Sequence, residues 1–356
     1  MRAKTLDSNS HSAETSTGSA KHEAQELARM LRDSALEVAW RQWRALGASA
    51  ALKSHSSRHL QSLIDPEALV LFSLLRIEDE RRLADLIRDW MVLNSDLLSV
   101  QRVKNLANDY GKDVRGKLAP RLEWVAGLAV EKGKDFRWRS LVALPHSRLS
   151  GVHGAHPLGF TTRNSKISHA TAGSKTRAVR ARLTEPSALF LRLRLGLGVG
   201  VKADVIGFLL GKGEEWATVR EIAEATAYSR VSVRRAVDDL AAARLVLALE
   251  AQPAGYRAER RTWASLLQIE GTPVWQNWHQ RFTFVSAFMA WVDALEKRPL
   301  SAYAFGAQGR ELLEQHRRAF EHNRIAVWSM HTDVPDWGMF VRHAVQSLAS
   351  SMVKWA

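Results

Sequence analysis

The sequence predicts a mainly α fold in three folded parts: a helical N-terminal domain, a central helical domain carrying a small β-hairpin, and a C-terminal helical bundle. Apolar residues recur at three- and four-residue spacing through most of the chain, which is the helical period. Strand-like runs beside turn residues occur around 216–218 and 245–258. Between the N-terminal and central parts, residues 145–184 lose all apolar periodicity and carry seven Lys or Arg with no Asp or Glu.

Residues 1–22 are rich in Ser, Thr and Ala and read as a disordered tail without the apolar segment of a secretory signal. Residues 23–144 form the helical domain. Leu27, Leu31, Ala35, Ala39, Trp43 and Leu46 share one face of its first helix. Asp65-Pro66 is a helix start, with Asp as cap and Pro in the first turn. Leu83, Ile87 and Trp90 mark the buried side of the next helix, and Ser99 caps a further one with Val103, Leu106 and Tyr110 inward. This succession is open to two readings, a degenerate helix-turn-helix or a packing and dimerisation element. Leu122 to Val130 belong to one more helix expected over 117–143.

Residues 145–185 read as a flexible basic linker, suited to a tether and to non-specific phosphate contact. His146, His153, His156 and His169 lie in it without a Cys or carboxylate at ligand spacing, so no metal site is expected.

The central domain is expected over 186–268. Gly196 to Gly200 provide a hinge before a helix from about Val201 to Leu210. Trp216-Ala217-Thr218 is a short β-type segment leading into a helix over 219–226. A tight turn at Ala227-Tyr228-Ser229 precedes a second helix, over 230–243, with Ser229 as its cap. Val233, Ala236, Val237 and Leu240 fall on one face of that helix. Arg230, Ser232, Arg234 and Arg235 fall on the other, with no acid before Asp238. A helix lying in the major groove of double-stranded DNA presents such a face, its first residues reaching base edges while cations meet phosphates. Leu245 to Leu249 and Tyr256 to Ala258 are strand candidates around the turn residues 251–255, with Arg260 and Arg261 just beyond.

The run from Thr218 to Val246, with the basic turn after it, resembles the winged helix-turn-helix superfamily of bacterial transcriptional regulators; the likeness covers about residues 199–262. It departs at Arg244, where many such proteins have Gly, which implies a strained or differently shaped helix exit. The resemblance implies that Arg230, Ser232, Arg234 and Arg235 contact the groove. It implies Tyr228 and Ser229 near phosphate at the turn, and Arg257, Arg260 and Arg261 on backbone or minor groove from the wing.

Residues 269–356 form the C-terminal helical domain. Trp275, Trp278, Phe282, Val285, Met289 and Val292 make a heptad-like stripe that requires another helix. Leu312 to Phe320 or the terminal stretch from Trp337 to Trp355 supplies it within the chain, or a second copy does so in a homodimer.

A net charge of +14 favours a polyanionic partner, nucleic acid before an anionic membrane surface. The absence of cysteine excludes disulfides, thiolate metal sites and Cys nucleophiles. No apolar run approaches the roughly 18 residues of a membrane span, so the expected location is the cytoplasm, on the nucleoid. No catalytic motif, paired carboxylate beside His or cofactor fingerprint is present, and neither enzymatic activity nor a cofactor is expected. The leading expectation is therefore a sequence-specific DNA-binding regulator. Two alternatives stay open: an antitoxin-like protein that holds a partner enzyme through its helical domains, and a DNA-binding replication initiator.

Overall fold

A computed structural model of the chain describes residues 7–48, 60–142, 180–269, 271, 273–297, 300–327 and 337–356. Most of the basic linker, with all four of its histidines, lies outside the described residues.

The N-terminal helices are α1 (Asp7–Ala45), α2 (Pro66–Leu75), α3 (Arg81–Asn94), α4 (Val100–Asn108) and α5 (Lys112–Glu131). Helix α1 begins at Asp7, so the segment expected as an unstructured tail is largely helical. The caps read from sequence form: Asp65 accepts from the Ala68 N–H at 3.0 Å and Ser99 from the Arg102 N–H at 3.2 Å. The last helix is shorter than the expected span 117–143, because a short 3-10 turn at Phe136–Ser140 buries Trp138 instead of extending it.

The central unit contains α6 (Leu189–Leu197), α7 (Val201–Lys212), β1 (Ala217–Thr218), α8 (Val219–Thr226), α9 (Arg230–Ala242), β2 (Leu247–Leu249), β3 (Gly255–Arg257) and α10 (Arg260–Leu267). The three strands form one antiparallel sheet in the order β1-β3-β2. Ala217 faces Tyr256, and Leu247 faces Arg257. The C-terminal helices are α11 (Trp278–Lys297), α12 (Ala302–Gln315), α13 (Arg318–Glu321) and α14 (Trp337–Trp355). No helix among the described residues is long and apolar enough to cross a membrane.

The core divides differently from the three-part expectation. Leu31, Val38 and Trp43 of α1 share one continuous core with Phe282 and Phe288 of α11 and Val345 and Leu348 of α14. Phe72 of α2 stacks on Phe282 at 4.3 Å between ring centroids. The N-terminal and C-terminal helices thus form one helical body. The heptad-like stripe is spent inside it, with Trp278, Phe282, Val285 and Val292 all buried. Two helix faces that need partners meet each other, although more than two hundred residues of sequence separate them. A second core, built on Val205, Phe208 and Leu209 of α7 with Ile222, Val233 and Val237, belongs to the central unit.

A buried ionic cluster joins the two cores. The Arg102 guanidinium makes a bidentate pair with Asp65, both contacts at 2.6 Å, and reaches Glu67 at 2.6 Å. Arg194 grips Glu67 at 2.6 Å on one side and Asp204 at 2.7 Å on the other. The Ser99 N–H donates to Glu67 at 2.8 Å. Ion pairs taken this far from water are stable only when geometry and hydrogen bonding are nearly complete, as they are here. The carboxylates hold both guanidinium groups above their ordinary pKa, more than offsetting the burial that would lower it. Arg102 is therefore a packing residue and faces no solvent, and among the described residues no strands follow α4 until the central unit.

Candidate nucleic-acid interface

Helix α8 starts with a reciprocal cap. The Glu221 N–H donates to Thr218 Oγ1 at 3.2 Å, and the Thr218 N–H donates to Glu221 Oε2 at 2.8 Å. The T-x-x-E spacing that produces it is visible in the sequence. The helix ends at Ala227, which takes a left-handed backbone with φ 57°. Ser229 then caps α9, accepting from the Ser232 N–H at 3.1 Å. Val233, Ala236, Val237 and Leu240 are buried beneath α9, the face the spacing predicts. Its outer face carries Arg230, Val231, Ser232, Arg234 and Arg235, all exposed.

The hairpin closes one side of this face and leaves an open groove of about 1090 Å³ between α8, α9 and the turn residues Pro253 and Ala254. Arg230, Arg234 and Arg235 line it, with Asp238 and Asp239 at the far end of the helix. Arg234 is held in place: its Nη1 donates to the Tyr256 hydroxyl at 2.9 Å, and that hydroxyl donates to Asp238 at 3.2 Å. Asp239 is offset by Lys202 at 2.9 Å.

The sequence-predicted residues separate into two groups. Ser229, Arg230, Ser232, Arg234 and Arg235 come together on one surface. Tyr228 does not join them. It is 9% exposed, and its hydroxyl donates to Asp204 at 2.9 Å and lies 3.0 Å from Ser99 Oγ, so it belongs to the ionic cluster. Burial and the Asp204 carboxylate push its pKa up, which keeps the phenol neutral. Arg257 turns to the body of the unit, its guanidinium 4.7 Å from the Trp216 ring and 3.3 Å from Glu214. Arg260 is half-buried and lines a cleft facing the C-terminal helices. Arg261 is exposed, on the first turn of α10 rather than on the hairpin.

Three further residues that the sequence does not single out belong to this candidate surface. Val231 is 74% exposed at the start of α9, beside the arginines. Arg220 reaches the same groove from α8, paired with Glu224 at 3.1 Å. Tyr256 positions Arg234 from β3. An apolar residue at an outward position of an otherwise polar helix face was the available signal for Val231. The hairpin register that brings Tyr256 to Arg234 had none. Among the described residues no cluster of three or more His, Asp or Glu forms a metal site.

No known protein family, curated protein or solved structure compared with this chain matches it.

Proposed function

We propose that this protein is a sequence-specific double-stranded DNA-binding transcriptional regulator that inserts α9 into the major groove. The observation that carries the reading is the outer face of α9: three exposed arginines and a serine in the first turns of a capped helix, above a buried apolar face and beside a hairpin. The order helix, strand, two helices and hairpin supports it, because winged helix-turn-helix proteins share that order. Arg234 is the specificity residue, since its guanidinium is already oriented by Tyr256. Val231 supplies an apolar contact suited to a thymine methyl group. Arg220 and Arg261 meet phosphate, joined by the basic linker; Tyr228, Arg257 and Arg260 have no direct role in this reading.

The test is fluorescence anisotropy with the duplex upstream of the protein's own gene and a scrambled duplex of equal length, each at two salt concentrations. Preference for the native duplex should survive the higher salt, and Arg234→Ala should reduce it by about 1–3 kcal/mol, the value of a bidentate base contact. Equal affinity for both duplexes, collapsing with salt, would mean that net charge alone acts.

Homodimerisation belongs to the same reading, but not through the C-terminal stripe, which is buried within the chain. Edge strand β2 is better suited, with Leu247 and Leu249 41% and 44% exposed beside an unpaired strand edge. Light scattering of the free protein distinguishes a dimer from a monomer.

A further inference from the structure

A cleft of about 780 Å³ lies between the central unit and the C-terminal helices, bordered by α8 residues Glu221, Glu224 and Ala225. Its walls are mixed. Half-buried Trp275 and Trp355, with Ile325, give it an apolar lining. Glu215, Glu221, Glu224 and Glu321 also reach it, and each already has a basic partner. Glu215 pairs with Arg324, Glu221 with Lys212, Glu224 with Arg220 and Glu321 with Arg317. Lys354 stands at the opposite wall over the Trp355 ring.

Behind that wall is a charge with no counter-ion. Arg281 of α11 is completely buried, and among the described residues no carboxylate pairs with it. Its Nη2 donates to Gln276 Oε1 at 2.6 Å and to Ser351 Oγ at 3.1 Å. Both of those residues line the cleft. Its Nε and Nη1 have no hydrogen-bond partner, although the guanidinium lies 4.9 Å from the Trp278 ring. A guanidinium is seldom buried unpaired, because the desolvation cost is met only by an opposite charge or full hydrogen bonding. Burial alone draws this one down to about 9. Among the described residues the other buried arginines are paired: Arg102 and Arg194 each hold two carboxylates, and Arg121 holds Glu78. Arg281 departs from that practice where two neutral side chains separate it from an aromatic-lined cleft.

We propose that this cleft binds a small aromatic carboxylate, whose carboxylate enters between Gln276 and Ser351 to pair with Arg281 while its ring lies between Trp275 and Trp355. The site touches α8 on one side and α14 on the other, so its ligand bridges the central unit and the helical body. The inference is independent of DNA binding.

Isothermal titration calorimetry of the full chain without DNA tests it, with benzoate and indole-3-carboxylate as probes and benzamide as the neutral isostere of benzoate. At least one carboxylate should bind with a Kd of roughly millimolar or tighter, and benzamide at least about tenfold more weakly. Two variants check the residue. Arg281→Met removes the unpaired charge at similar volume, and Gln276→Glu supplies the missing carboxylate from within the chain. Both should fold, raise the thermal midpoint and lose at least about tenfold in carboxylate affinity. Binding of neither carboxylate, equal binding of benzamide and benzoate, or unchanged affinity in both variants would each overturn the proposal.

Discussion

Arg244 shows how a single residue records a conflict between backbone and side chain. Helix α9 has to stop before β2, and it does so with Arg244 in the left-handed region at φ 58°. The Leu245 N–H bonds to the Leu240 carbonyl and the Arg244 N–H to the Ala241 carbonyl, each at 2.9 Å, which is the paired closure of a Schellman motif. A Cβ in this conformation costs roughly 1–2 kcal/mol, and glycine avoids that cost while giving back about 0.5–1 kcal/mol in unfolded-chain entropy. Arg244→Gly should therefore stabilise the protein by about 0.5–1 kcal/mol. The urea midpoint should rise with an unchanged slope, and a lower midpoint would refute the strain. This residue was legible in the sequence, because a helix followed closely by a strand needs a left-handed exit and an arginine occupies it. Tyr228 was not legible. Its partners Asp204 and Ser99 lie 24 and 129 residues away, and nothing local separates a tyrosine turned inward from one facing phosphate.

At the scale of elements, what was readable was whatever the chain specifies locally. Caps at Asp65, Ser99 and Ser229 form where the sequence places them, and α8, α9 and the hairpin fall within one or two residues of expectation. Partner choice was not readable, since the stripe on α11 says only that it must be covered, and α1 and α2 cover it as well as the C-terminal helices do. The Thr218 cap shows how much one element end carries. Thr218 lies in β1 opposite Gly255 and also starts α8, so it fixes the angle between sheet and helix. Thr218→Ala should cost about 1 kcal/mol, as the loss of an N-cap does. Burial pushes the Glu221 carboxyl up, but the Thr218 N–H and the Lys212 ammonium outweigh it and hold its pKa below the usual value. A depressed folded pKa gives stability that is present above the unfolded value and is lost as pH falls through the folded one. Acid titration of stability should thus show a Glu221 contribution fading below roughly pH 4.3, and Glu221→Gln should flatten that part of the curve. An unaltered acid limb in Glu221→Gln would remove Glu221 from the cap.

For the whole molecule, the decisive feature is that the central unit is not hinged freely on the helical body. Arg102 Nε donates to the Thr226 carbonyl at 2.9 Å and Asn105 Nδ2 to the Ala227 carbonyl at 2.7 Å, so α4 holds the turn that leads into α9. The same Arg102 is locked to Asp65 and Glu67, and through Glu67 to Arg194 and Asp204 of the central unit. One continuous polar cluster therefore sets where α9 points relative to the rest of the chain. Burial would raise the Asp65 carboxyl, yet the Arg102 guanidinium holds it below its ordinary value, so the stability Asp65 contributes is present above its unfolded value and is lost only as pH falls through the lower folded one. Removing one cation should, since it leaves Glu67 and Asp204 buried without their shared counter-ion. Arg194→Met should cost about 3–5 kcal/mol, the price of orphaning a buried charge. If the cluster couples the two cores, the wild type should unfold in one transition reported equally by all regions, and Arg194→Met should split it, with amide exchange rising across α7 to α9 before α11 and α14. A single coincident transition in Arg194→Met, lowered as a whole, would show instead that the cluster stabilises one indivisible core and that the turn before α9 is held by apolar packing alone.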